Sequence, residues 1–151
     1  MKRMLKNTDG TAAIEFAASG FALVTVFVML LEAASMYFAQ GVLESAVDRA
    51  ARFAVTGTAP TGMTREERLL ELVSGMSLGM IDTSGVQIQT SSYTSYQAAG
   101  TAGAGSAGLG GSGDVLKIEA AMTWPGLTPL MQVVTGAVHL GASAVVRAER
   151  Y

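Results

Sequence analysis

GTAAIEFAASGFALVTVFVMLLEAASMYFAQGVLESAVDRAARFAVTG, residues 10–57, reads as one continuous helix with two different halves. Phe16 to Leu31 is a run of sixteen residues without a charge. At ~1.5 Å per residue that run is ~24 Å long, and Gly10 to Glu32 is ~33 Å, against a hydrocarbon core of ~30 Å. A single membrane span over about residues 12–33 follows, with a carboxylate near each rim, Glu15 and Glu32. The helical pattern does not stop there. Leu43, Val47, Ala50 and Ala54 recur on one face, the spacing of an amphipathic helix. Asp48 and Arg52 stand at i,i+4, where opposite charges support a helix, and Gly57 supplies a stop. The expected element is a helix from Thr11 to Thr56, half in lipid and half amphipathic. A cleaved secretory signal shares the basic start, the apolar run and small residues such as EAAS. Cleavage there would sever the two halves of the helical pattern.

Charge sets the direction of the span. Lys2, Arg3 and Lys6 precede it, and flanking bases stay on the cytoplasmic side. The remainder, residues 11–151, carries seven bases and eleven acids, a net of −4. It lacks the basic face that nucleic-acid binding requires. The chain of 151 residues fits one anchor plus one small domain, residues 57–151. A domain of roughly 100 residues buries only ~60–70% of its surface, so contacts with other subunits would help it. There is no cysteine, hence no disulfide and no thiolate chemistry.

Beyond Gly57 the pattern is that of a small α+β domain. Thr64 and Glu67 have the spacing of a capping box, followed by Leu69, Leu70, Val73 and Met76 at helical intervals. Arg65, Glu66, Arg68 and Glu71 read as its solvated face. Three stretches alternate as strands: Val86, Ile88, Thr90; then Leu116, Ile118, Ala120, Met122, Trp124; then Val138, Leu140, Ala142, Ala144, Val146. An antiparallel sheet with one face on the outer half of the long helix is the expected arrangement. Thr128 and Pro129 suit the N-cap and first position of a short helix between the last two strands.

GTAGAGSAGLGGSG, residues 100–113, is half glycine. Gly103, Gly105 and Gly108 spell GxGxxG, but the dinucleotide fingerprint needs a strand before it and a helix after it. Here a strand follows, so the segment reads as a flexible hairpin loop that adds little to the core. His139 is the single histidine and has no paired acid or metal-ligand spacing. With no nucleophile elbow, HExxH or metal cluster, no cofactor is implied, and the chain does not read as an enzyme.

Glu15 then needs a reason, because an ionised group at the edge of an apolar run is costly to place in lipid. One reading makes it a rim residue at the cytoplasmic interface. The other comes from resemblance. GTAAIEF before an apolar run is similar to the processing site of type IV pilin-like proteins, and residues 10–55 resemble the TadE-like family of the Tad (tight adherence) pilus system. Glu15-Phe16, Glu32, Tyr37 and Ala50-Ala51-Arg52 occupy the family's glutamate, second glutamate, aromatic and Ala-Ala-Arg places. LGASAVVRAERY, residues 140–151, is similar to the family's closing strand.

The resemblance implies that residues 1–10 are a leader and that a prepilin peptidase cuts between Gly10 and Thr11. Glu15 becomes the fifth mature residue, available to the new terminal amine of its own or a neighbouring chain. Glu32 reads as an outer-rim residue. The implied function is that of a minor pilin or pseudopilin, acting in pilus assembly or at the fibre tip, and hence in adhesion and biofilm formation. Its implied place is the bacterial inner membrane, single-pass, N-terminus cytoplasmic and C-terminal domain periplasmic, with incorporation into an extracellular pilus as a further destination. The implied partners are the peptidase, other pilin or pseudopilin subunits, the inner-membrane assembly machinery and lipid. The alternative is a membrane-tethered exported binding module unrelated to pili, which would need neither Gly10 nor Glu15.

Overall fold

A computed structural model describes residues 9–56, 61–75, 85–101, 103–128, 133 and 136–149. The first helix, α1 (Asp9–Thr56), is unbroken. It contains no proline, and alanines supply much of its helix propensity. Its second half buries the expected face: Leu43, Val47, Ala50 and Ala54, together with Ala39 and Ala46. These small residues let the sheet approach the helix backbone closely. Asp48 and Arg52 are both exposed and have no ion-pair partner among the described residues. An exposed i,i+4 pair contributes only ~0.3–0.5 kcal/mol, too little to hold the two side chains in one geometry.

The second helix, α2 (Arg65–Ser74), starts on the expected capping box. The Glu67 N–H donates to Thr64 Oγ1 at 3.1 Å, and the Thr64 N–H donates to Glu67 Oε2 at 2.7 Å. That backbone donor, followed by the Thr64 side chain, holds the Glu67 carboxyl below the usual carboxylate range. Thr64→Ala should cost about 0.5–2 kcal/mol, visible as a melting shift of a few degrees. An unchanged melt would mean that α2 does not fold with the rest. Leu69 and Val73 are buried, whereas Leu70 is half exposed, and Met76 lies outside the described residues. Arg65 departs from the solvated face: its guanidinium donates to Ala54 O at 3.1 Å, serving one of the last carbonyls of α1, which has no partner within the helix.

The sheet has order β2-β1-β3-β4, built from β1 (Gln87–Tyr93), β2 (Ser106–Ala107), β3 (Val115–Trp124) and β4 (Val138–Arg147). All pairings are antiparallel. The alternation expected from the sequence is the alternation observed. Leu116, Ile118, Ala120, Met122 and Trp124 are buried, and Leu140 joins them with Val138, Ala142, Ala144 and Val146 partly covered. A four-residue turn of helix, α3 (Tyr96–Ala99), follows β1. The fold is α+β, a long helix packed on a small antiparallel sheet.

Three contacts fix how the sheet stands along the helix. Leu127, just past β3, donates its N–H to Glu32. The Gln40 side chain donates to Gly141 O at 2.9 Å. The Glu149 N–H donates to Val55 O at 3.3 Å. Order along β4 therefore follows order along α1, and the Trp124–Val138 end of the sheet lies beside Glu32, where the apolar run ends.

The glycine-rich segment is not the loose loop expected. Ser106 and Ala107 pair with Ser92 and Ser91, the Gly108 N–H donates to Thr90 O at 3.0 Å, and Leu109 is a core residue. Two glycines are set by close approach. A Cβ at Gly105 would come within 2.6 Å of the Tyr93 ring, and one at Gly110, whose φ is +53°, within 2.6 Å of Ser92 Cβ. One large apolar residue among fourteen leaves no period to read, which is why the pairing is silent in the sequence. Leu109→Ala should therefore destabilise the domain by about 2–5 kcal/mol. Urea unfolding would measure it, and a loss within error would restore the loose-loop reading. The short helix expected from Pro129 lies outside the described residues except at Val133.

Candidate functional site: an uncovered half-helix and two carboxylates

From Gly10 to Leu31, α1 stands clear of the rest of the fold, and it is long and apolar enough to cross a membrane. Ile14, Phe16, Phe21, Val24, Val26 and Met29 are all exposed. At ~100° per residue they point in every direction, the signature of a helix surrounded by apolar material. A soluble monomer does not carry so large an apolar patch. The polar Thr25 side chain is turned back, its hydroxyl donating to Phe21 O at 2.8 Å, which leaves no hydrogen-bonding hydroxyl facing lipid there.

Glu15 is the single acid in this half beyond its first turn. It is exposed and has no hydrogen-bond or ion-pair partner among the described residues. Thr11 and Glu15 are one turn apart on the same face, and side chains on a helix lean toward its N-terminus. The carboxylate thus leans back over Thr11. Gly10 and Thr11 are exposed in the first turn of the helix. A Cβ on Gly10 would meet nothing within 4 Å. No contact among the described residues requires glycine there, although glycine in a helix costs ~1 kcal/mol relative to alanine. Phe16, next to Glu15, is 82% exposed.

Glu32, expected as an outer-rim residue, stands at the end of the apolar run but is buried within the fold. It is 2% exposed. Its Oε2 accepts the Leu127 N–H at 2.9 Å, and its Oε1 accepts the Thr128 N–H. Gly126, at φ +75°, bends the chain after β3 in a conformation that favours glycine, and the bend presents two successive N–H groups to one carboxylate. The hint in the sequence is WPGLT, a Pro-Gly turn that must expose donors, but the acceptor is 95 residues away. Thr128 gives its N–H here, and the helix that it is expected to cap lies outside the described residues except at Val133.

The remaining family-like positions do not join either carboxylate. Tyr37 is 73% exposed and lies with Phe38, Gly41, Arg49 and Gly75 along an open groove of about 520 Å³. Arg52 is exposed further along. Glu15 and Glu32 are themselves ~25 Å apart along the helix axis. His139 is on the outer sheet face, its Nδ1 3.2 Å from Thr123 Oγ1. Among the described residues no group of three His, Cys, Asp or Glu side chains is placed to hold a metal.

The family model described as TadE-like protein matches residues 10–52. No curated protein matches, and no solved structure matches. The matched segment covers the apolar half of α1, both carboxylates and most of the sheet-facing half, and ends before the sheet begins.

Proposed function

We infer that the chain, TadE-like along most of its first helix, is a minor pilin or pseudopilin of a bacterial Tad pilus system. Residues 1–10 are its leader, a prepilin peptidase cuts between Gly10 and Thr11, and Glu15 accepts a terminal amine during assembly. Residues 57–151 form the exported domain, held at the outer face of the inner membrane by the span at about 12–33. The observation that carries this reading is an apolar half-helix that nothing among the described residues covers, bearing one carboxylate a turn beyond Thr11. Two charges at a lipid boundary are less costly paired than apart, and cutting at Gly10 creates the amine that can pair. The unused freedom at Gly10 supports the same reading, since a peptidase must bring its own atoms close to that backbone.

Mass spectrometry of protein purified from cells with an active prepilin peptidase is expected to show a chain that begins at Thr11. An intact leader, or a start after Ala34, would overturn the proposal and favour a tethered module with no part in a pilus.

A further inference from the structure

We propose that the free edge of β4 accepts an extended, basic segment of a partner protein as a further strand of the sheet. β4 ends the order β2-β1-β3-β4, so only one of its sides is paired. In an antiparallel ladder, successive residues bond the neighbouring strand and point away from it in turn. Two bonds fix the phase. The Ala148 N–H donates to Asp114 O at 2.9 Å, toward β3, whereas Gly141 O accepts from the Gln40 side chain of α1 at 2.9 Å, away from β3. The register runs without a slip from Val115–Arg147 to Trp124–Val138. The N–H and C=O groups of Ser143, Val145 and Arg147 therefore also point away from β3, and among the described residues they have no hydrogen-bond partner. All three residues are exposed. Sheet edges are commonly blunted by a proline, a lysine or a bulge, and Val138 to Val146 has none of these. α1 guards the edge at two points only, through Gln40 at Gly141 and through Val55 O, which accepts the Glu149 N–H at 3.3 Å.

Charge selects the occupant. Gln40 Nε2 donates to Glu44 Oε1 at 2.7 Å as well as to Gly141 O, so the Glu44 carboxylate stands beside the edge. Asp48 follows one turn further along the same side of α1. Both acids are exposed, and no base among the described residues forms an ion pair with either. Arg147 turns its guanidinium the other way, its Nε donating to Gly113 O at 3.0 Å. A second copy pairing through its own β4 would bring its Glu44 and Asp48 against these carboxylates. A different chain with lysine or arginine in its strand meets no such repulsion.

The test titrates short fluorescein-labelled peptides, blocked at both ends, with the full-length protein in nonionic detergent and reads anisotropy. One peptide alternates lysine and valine, and one alternates glutamate and valine. Two more are the lysine peptide N-methylated either at its valines or at its lysines. The lysine peptide should bind and the glutamate peptide should not. Only one edge of the peptide faces β4, so one N-methylated form should bind at least about tenfold more weakly than the other. Ser143→Pro removes an edge N–H without touching the β3 ladder and should weaken binding while circular dichroism stays unchanged. If that variant does not fold, the two N-methylated peptides decide. Glu44→Lys combined with Asp48→Lys should weaken the lysine peptide by about fivefold or more. Equal binding of the two N-methylated forms would mean attraction by charge without strand addition, and the proposal fails. It fails equally if no peptide binds, or if the glutamate peptide binds as well as the lysine peptide. A concentration-dependent dimer in sedimentation, abolished by Ser143→Pro, would give the edge to a second copy and overturn the basic partner.

Discussion

Glu32→Ala is expected to lower the unfolding free energy by about 2–6 kcal/mol, because two backbone donors lose their acceptor together and each buried unmade bond costs ~1–3 kcal/mol. In a domain of this size that is a melting shift on the order of 10 °C. The sign is informative. A carboxylate that merely marked the membrane rim would be replaced by alanine without loss, since the helix would only become more apolar. Here the carboxylate joins α1 to the turn after β3 and is 2% exposed. Glu32→Gln keeps one acceptor oxygen and places an amide donor against the second N–H, so its loss should be smaller but real. Trp124, the single tryptophan, lies three residues from Leu127 and reports the turn by fluorescence while circular dichroism reports the whole fold. An alanine variant that melts within about 2 °C of the parent would mean that these two bonds contribute less than a cap does.

Glu15→Gln should leave insertion and cleavage intact and abolish fibres. The change keeps nearly the same shape and removes the charge, so a span that only needs an apolar helix is unaffected. An amine brought to that position by assembly loses its partner. Even ~1.4 kcal/mol per subunit is a tenfold change in an equilibrium, and it recurs at each addition that uses this contact. Glu15→Asp should fall between, its shorter side chain reaching less far toward Thr11. Fibre counts by electron microscopy, beside an immunoblot for the processed form, would measure both. Normal fibres in the Glu15→Gln strain would remove charge pairing from the assembly step and leave Gly10 as the remaining support.

Periodicity explains what could be read in advance. The sheet-facing half of α1 repeats Leu43, Val47, Ala50, Ala54, and β3 and β4 alternate residue by residue, so each element announces its buried face. The Thr64–Glu67 box is local, complete within four residues. Features made between distant segments carry no such signal. Glu32 looks like a rim residue until Leu127 and Thr128 arrive from the far end of β3. Arg65 belongs to a charged run until the end of α1 offers it the Ala54 carbonyl. The 106–109 segment is held by backbone pairing and one leucine, which no pattern of side chains records. At Glu15 the reverse holds: its oddness is plain in the sequence, whereas nothing within the described residues touches it.

The unbroken course of α1 also has a mechanical meaning. There is no slack between the part of the helix that faces lipid and the part that carries the sheet, and Glu32 latches the sheet's near end at their junction. An outward pull on the sheet begins to draw the apolar rod from the bilayer at once. On an insertion scale of ~0.3–0.6 kcal/mol for each large apolar residue, the ten Leu, Ile, Val and Phe residues between positions 12 and 33 resist removal by roughly 3–6 kcal/mol. If the chain is a pilin, a fibre that accepts it from the membrane must return at least that much through contacts along the same rod, and the depth at which neighbouring rods touch would set whether the transfer runs downhill or needs a motor.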